Sequence, residues 1–127
     1  MRAAIRLGTT GAVIAMAAAL LAGGASAADQ GVATASKAKC DISGDLGPSY
    51  VTSLRVRNTS CKKGDKVVIA FHNCRKDNGG SDGRCNQVVL GYSCQEGKRE
   101  QAPAQYNAKV KCKKGSKKVV HTYTQNT

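Results

Sequence analysis

Hydrophobic and polar positions change their spacing after residue 60, and the two patterns predict two different elements. Between Val51 and Val56 apolar residues alternate with polar ones, as in a half-buried strand. Beyond the possible N-cap residues Asn58, Thr59 and Ser60, the spacing becomes i, i+3, i+4, i+7, which is one face of a helix. That face consists of Gly64, Val67, Val68 and Phe71. We therefore predict a strand followed by a helix over about residues 60–74.

A strand remains an alternative for 61–74, because periodicity does not separate a short apolar run from a buried strand. The run Val67–Phe71 contains β-branched residues that suit either structure. The chain also nearly repeats CKKGDKVV (61–68) as CKKGSKKVV (112–120), where the pattern is typical of a turn that leads into a strand. The helix is the favoured interpretation, and the strand stays open.

Three later segments are predicted to be strands, over 87–94, 105–112 and 118–124. Gly91 interrupts the first, 96–103 is a polar connection, and 113–116 is a tight turn. In the last strand Val119, His121 and Tyr123 share one face. The pattern as a whole predicts an α+β domain in which one N-terminal strand and one helix (about 60–74) pack on an antiparallel sheet of three to four strands.

The first 27 residues have the features of a cleaved signal peptide. Arg2 and Arg6 precede an apolar run at 11–21, and small residues at 25–27 form a cleavage site near Ala27. We expect residues 28–39 to be a flexible leader and 40–127 to be a single disulfide-stapled domain. The mature chain is then secreted, and no transmembrane anchor is expected in it.

All six cysteines follow the predicted signal peptide, and an even number in a small exported chain predicts three disulfides. The chain has one Phe and no Trp, so few large side chains are available for a core. Each disulfide would offset this shortage by adding about 2–4 kcal/mol to the free energy of unfolding. The predicted order of strand, helix and meander brings three pairs together. These pairs are Cys74–Cys85, Cys61–Cys94 and Cys40–Cys112. No C-x₂₋₄-C spacing occurs, so neither a metal nor another cofactor is predicted.

Several short motifs are similar to those of small exported cysteine-rich proteins of actinobacteria. They are Val56-x-Asn58-x-Ser60-Cys61-x-x-Gly64-x-x-Val67-Val68, Gly91-Tyr92-x-Cys94, Val110-x-Cys112 and Val119-Val120. The resemblance covers about 54–123 and implies a helix and a secreted compartment. The group has no assigned activity, so the resemblance implies no catalytic residue. Gly64 replaces the usual Ala of the group, and Cys74 and Cys85 are additional to its four cysteines.

The net charge is strongly positive, at +12 for the whole chain. Without Arg2 and Arg6, 18 basic residues stand against 8 acidic ones, a net charge of +10. This charge favours a partner such as nucleic acid, an anionic cell-wall polymer or membrane head groups, although solubility alone also explains it. Alternation predicts Lys109, Lys111 and Lys113 on one strand face. The candidate binding residues are Lys109, Lys111, Lys113, Lys114, Lys117, Lys118, Lys62 and Lys63, and we expect a non-enzymatic binding protein.

Two other functions remain as alternatives. A secreted ribonuclease could use His72 and His121 as acid and base, although nothing in the sequence brings them together and both fit surface positions. An inhibitor or interaction module could use the loop 75–84, closed by Cys74 and Cys85, as an exposed binding loop. No nucleophile or metalloprotease motif is present in the sequence.

Overall fold

The structure, a computed structural model, describes residues 36–42 and 44–127. The predicted signal peptide (1–27) and the predicted leader as far as residue 35 lie outside this range. Within it, one helix packs on an antiparallel sheet and three disulfides cross-link the chain. The predicted α+β class is confirmed, and the sheet of the described part has six strands, more than the three to four expected.

Every strand pairing is antiparallel. The elements are β1 (Lys37–Cys40), β2 (Tyr50–Arg57), α1 (Cys61–Asp77), a 3₁₀ turn (Gly80–Asp82), β3 (Ser93–Glu96), β4 (Glu100–Ala102), β5 (Gln105–Lys114) and β6 (Lys117–Asn126). The strand order is β1-β2-β6-β5-β3, and β4 pairs with β5 further along the same edge. Residues 37–39, expected in the leader, form most of β1.

The helix prediction is confirmed, and α1 extends to Asp77. The Ser60 side chain accepts a hydrogen bond from the backbone N–H of Lys63 at 3.2 Å, which caps the first turn. Asn58 turns the chain out of β2 with a positive φ of 54°, a conformation that asparagine tolerates. The cap and the helical apolar face together exclude the alternative strand over 61–74.

One side of the sheet is covered by α1 and carries the core. Strands β2, β5 and β6 contribute alternate residues to this side, as the period of two requires. They include Leu54, Val56, Ala108, Val110, Val119 and Tyr123, which pack against Val67, Val68 and Phe71 of α1. On the opposite side the alternate residues are exposed or half-buried, so no element of the described chain covers it.

Two of the three predicted disulfide pairings are wrong. The bonds are Cys40–Cys61, Cys74–Cys85 and Cys94–Cys112. Cys40 lies in β1 opposite Leu54, on the helix side of the sheet, and therefore reaches the first residue of α1 and not Cys112. Cys94 faces Cys112 directly in the β3–β5 register, which excludes the predicted Cys61–Cys94 bond. The non-local register of β1 and β3 decided both pairings.

The predicted strand over 87–94 is wrong for most of its length. Val89 and Tyr92 exchange two backbone hydrogen bonds, of 3.0 and 2.8 Å, around a two-residue turn. Leu90 and Gly91 both have positive φ, of 50° and 79°, as the tight type I′ turn requires. Sheet pairing begins only at Ser93, because the turn at Gly91 reverses the chain before it meets β5.

Candidate functional site

Eight basic side chains lie on the open side of the sheet, opposite α1. The strand register assigns them to this side, because residues that face each other across a ladder project in the same direction. We call this group the cationic face. It consists of Lys37, Lys39, Arg55, Arg57, Lys109, Lys111, Lys113 and Lys118.

The first row of the cationic face crosses four adjacent strands and consists of basic residues alone. Lys37 of β1 faces Arg57 of β2, Arg57 faces Lys118 of β6, and Lys118 faces Lys113 of β5. Neighbouring strands are about 4.8 Å apart, so each charge has a like charge beside it. Like charges directly opposite each other destabilise a sheet. The repulsion within this row therefore destabilises the folded sheet. A surface that only interacts with solvent does not require its charges to lie side by side.

The second row contains one apolar residue between basic ones. Lys39 faces Arg55, Arg55 faces Val120, and Val120 faces Lys111. In the third row Ser53 faces Thr122, which faces Lys109. Positive charge is therefore concentrated toward the end of the sheet where β2 ends and β6 begins.

Acidic residues do not neutralise the cationic face. Among the described residues every ion pair includes Glu96, which bonds Arg75, Arg84 and Arg99. No residue of the cationic face belongs to one of these pairs. Glu100, opposite Asn107, lies on the open side at the far end of the sheet. The eight charges are thus available to an external anion.

The structure separates the lysines predicted from the sequence into two groups. Lys109, Lys111, Lys113 and Lys118 belong to the cationic face, and the first three lie on one face as predicted. The other four lysines lie elsewhere. Lys62 and Lys63 are in the first turn of α1. Lys114 and Lys117 face each other next to the β5–β6 turn, and the strand register puts both on the helix side of the sheet.

The lysines at the start of α1 and the lysines beside the β5–β6 turn are at the same end of the domain. The Asn58 side chain, just before α1, donates a hydrogen bond to the carbonyl of Ser116 in the β5–β6 turn at 3.0 Å. The start of α1 and that turn are therefore neighbours, and their lysines extend the positive region around the edge of the sheet.

Sequence reasoning missed half of the cationic face. Lys37 and Lys39 fall within the predicted flexible leader, and the sequence pattern predicts a strand around Arg55 and Arg57 without marking either as a binding residue. The alternation of arginines with Leu54 and Val56 did contain the signal, because it puts both arginines opposite the buried side. That β1 would pair with β2, and so add two lysines, required the tertiary structure.

Two adjoining depressions lie on the cationic face, and together we call them the diagonal groove. One cavity of about 410 Å³ is lined by Lys39, Arg55, Lys118 and Val120 among others. A second, of about 210 Å³, is lined by Arg55, Val120, Lys109, Ser53 and Thr122. Arg55 and Val120 line both cavities, so the two adjoin, and their lining residues together extend from β1 to β5.

The two histidines are neighbours in the core, so the expectation of separate surface histidines is wrong. His72 of α1 and His121 of β6 are both fully buried, and their Nε2 atoms are 3.2 Å apart. Burial is the largest cause that lowers the pKa of His72 to about 3, and His121 and Arg75 act in the same direction. Burial and Arg75 also lower the pKa of His121 to about 3.

The hydrogen bonds of this pair determine its tautomers. The guanidinium of Arg75 has no acceptor atom, so its Nη1 donates to Nδ1 of His72 at 3.1 Å. Neutral His72 must then carry its proton on Nε2 and donate it to Nε2 of His121. Both lone pairs of the histidines are occupied by bonds within the protein. This arrangement suits a structural pair better than an acid–base pair that acts on a ligand.

The segment 75–84 is exposed at most of its residues, and its two buried residues, Arg75 and Gly83, anchor it to the core. Arg75 belongs to α1 and is 1% exposed. Its guanidinium donates to the carbonyls of Gly83 and Ser81, at 3.2 and 2.8 Å, to Ser49 and to the hydroxyl of Tyr106. Buried Glu96, 3.6 Å from Arg75, supplies the counter-charge. The Cys74–Cys85 bond and Arg75 therefore hold this segment onto the core.

No cluster of three or more potential metal ligands occurs in the part of the chain that the structure describes. Over the same residues, no helix combines the length and apolar character needed to cross a membrane. Comparison with protein-family models, curated proteins and solved structures finds no match to this chain. The geometry of the cationic face alone makes it the candidate functional site.

Proposed function

We propose that this chain is a non-enzymatic protein that binds an anionic polymer or surface through the cationic face. The observation that carries the proposal is the first row, in which Lys37, Arg57, Lys118 and Lys113 cross four adjacent strands. Positive charges arranged on one surface attract polyanions and raise their rate of association. Export through the predicted signal peptide, and the similarity to small secreted actinobacterial proteins, belong to the same proposal. Three disulfides are typical of an oxidising, non-cytosolic compartment.

Protection against aggregation explains only part of the cationic face. Lysines on an edge strand discourage pairing with another chain, and Lys37 and Lys39 lie on the edge strand β1. Strands β2 and β6 are central, so Arg55, Arg57 and Lys118 protect no edge. A ligand that neutralises the row accounts for these central charges as well.

The test is binding of fluorescent inorganic polyphosphate to the oxidised mature chain over a series of salt concentrations. The variant is Arg57→Gln/Lys118→Gln, which removes two charges from the centre of the first row. Its matched control is Lys66→Gln/Lys76→Gln, which removes two exposed charges from α1 on the other side of the sheet.

We expect the first variant to bind about 10- to 30-fold more weakly, since a basic residue near an anionic surface contributes about 1 kcal/mol. The control should change affinity by less than about threefold. Affinity should fall steeply as salt rises. Equal losses in the two variants, or no binding at low salt, would refute the proposal.

The ribonuclease alternative has one observation in its favour, the 3.2 Å contact between His72 and His121. Their burial and their lowered pKa values count against it, because a general base works best with a pKa near the operating pH. Incubation with poly(U) RNA tests this alternative directly. Cleavage that is lost in a folded His121→Gln variant would establish the enzyme and overturn the non-enzymatic proposal.

A further inference from the structure

We propose that the polymer bound by the cationic face is a linear acidic polysaccharide, which lies in the diagonal groove from β1 to β5. This inference rests on the proposed function and names its ligand class. Three features of the groove support it: its apolar floor, its hydroxyl groups, and the near absence of aromatic side chains on the open side.

The floor of the groove is apolar while its walls are charged. Val120 occupies the centre of the second row, with Arg55 on one side and Lys111 on the other. Its side chain is shorter than those of its neighbours, which leaves the depression shared by the two cavities. A sugar ring has C–H groups that contact such a floor and acidic substituents that reach the walls. Inorganic polyphosphate has no apolar surface to match it.

The hydroxyl groups of Ser53 and Thr122 line the second cavity of the groove, and the hydroxyl of Thr52 lies beside them. The hydroxyl of Thr122 is 2.7 Å from that of Thr52 and 2.6 Å from that of Ser53. Two bonds among three hydroxyls use two of their three protons and two of their six lone pairs. At least one O–H donor and several acceptor positions are therefore free to bond outward. Lys109 faces Thr122, so these hydroxyls adjoin a positive charge.

Single-stranded nucleic acid suits this surface less well, because its bases stack on aromatic side chains. Of the four tyrosines, Tyr92, Tyr106 and Tyr123 are buried. Tyr50 is 76% exposed and faces Thr124, three rows from the row of four charges. An acidic glycan needs cations and polar hydrogen bonds, which the groove supplies.

Duplex DNA is disfavoured by shape. The first row crosses four strands, so its outer strands are about 14 Å apart. The major groove is about 12 Å wide and admits a helix or a two-stranded ribbon. A flat face of four strands therefore remains outside the major groove of the DNA and contacts few phosphates.

A lipid membrane is disfavoured by the lack of inserting residues. Proteins that lie on a membrane bury apolar side chains in the head-group region. On the rows of the cationic face, the only apolar side chain among described residues is Val120, which is half-buried. Electrostatic attraction to anionic head groups is all that this surface offers a bilayer.

The test compares four fluorescent or vesicle probes at 150 mM salt: polygalacturonate oligosaccharides, inorganic polyphosphate of matched charge, poly(U), and phosphatidylserine vesicles. We expect the polygalacturonate to bind at least about fivefold more tightly than each of the others. Thr122→Val, which keeps the β-branched shape and removes the hydroxyl, should weaken polygalacturonate binding about fivefold and leave polyphosphate binding unchanged. Thr59→Val, outside the groove, is the matched control.

Each of the other outcomes refutes either the glycan assignment alone or the proposed function together with it. Equal or tighter binding of polyphosphate, poly(U) or vesicles refutes the glycan assignment and leaves the proposed polyanion function standing. A Thr122→Val variant that binds polygalacturonate like the wild type also refutes the glycan assignment. No binding of any probe, even at low salt, refutes the proposed function and this inference together.

Discussion

Gly64 shows how one residue sets the distance between two elements. It lies in the first part of α1 and is buried against β2. A Cβ at this position would be 2.8 Å from Cγ1 of Val56 and 3.6 Å from Cδ2 of Leu54. Glycine costs a helix up to about 1 kcal/mol relative to alanine. That cost is offset here by the close approach of α1 to the sheet.

We predict that Gly64→Ala lowers the free energy of unfolding by about 1–3 kcal/mol, because the overpacking outweighs the gain in helix propensity. In a Val56→Ala background the clash is absent, and the same substitution should be neutral or stabilising. Urea denaturation of the four proteins measures the coupling. An identical effect of Gly64→Ala in both backgrounds would exclude the steric explanation.

At the scale of the element, one sequence pattern forms two structures. CKKGDKVV begins α1, whereas the near-repeat CKKGSKKVV forms the end of β5, the turn and the start of β6. The first copy follows the Ser60 cap and continues into a helical apolar face. The second copy has Gly115 at a φ of 56° and continues into the alternation of Val119, His121 and Tyr123. The flanking residues, and not the shared motif, decide the element.

The sequence therefore predicted α1, β5 and β6 correctly, since their patterns are local and extend over ten or more residues. It failed for 87–92 and for β1, where the structure depends on a turn and on pairing with β2. The same limit applies to the candidate site. Lys109, Lys111 and Lys113 follow from alternation within one strand, whereas the three rows to which they belong depend on the register of neighbouring strands.

Repulsion between the like charges of the first row leads to a prediction about the stability of the sheet. Lys118 faces like charges in both neighbouring strands, and each such pair destabilises by about 0.2–1 kcal/mol. We predict that Lys118→Thr raises the free energy of unfolding by about 1 kcal/mol at low salt. The gain should disappear in 1 M salt, where the charges are screened. Urea denaturation at the two salt concentrations measures it, and a gain that persists at 1 M salt would contradict the electrostatic cause.

At the scale of the whole molecule, the buried pair of His72 and His121 links stability to pH. Both are neutral in the folded protein down to a pH of about 3, whereas in the unfolded chain they take up protons near pH 6.5. The unfolded state therefore binds more protons below pH 6.5. The stabilisation is complete above that pH and is lost progressively as the pH falls toward 3.

We predict that the free energy of unfolding falls by about 4 kcal/mol between pH 7 and pH 5, about half of it from each histidine. Most carboxylates remain ionised in this range, so the histidines dominate the change. His121→Gln, whose amide oxygen can accept the Nε2–H of His72, should halve the slope. Denaturant titrations at several pH values provide the measurement. An unchanged slope in His121→Gln would show that other groups cause the pH dependence.

Taken alone, the sequence determined what depends on neighbouring residues. The period of 3.6 defined α1, the period of two defined β5 and β6, and the composition indicated a basic domain with three disulfides. The tertiary structure decided what depends on register and contact between distant segments. The partners of Cys40, Cys61, Cys94 and Cys112, the contact of His72 with His121, and the row of four charges across the open side all belong to this second group. The reason is that hydrophobic periodicity specifies which side of an element is buried, whereas strand order and register specify which side chains meet.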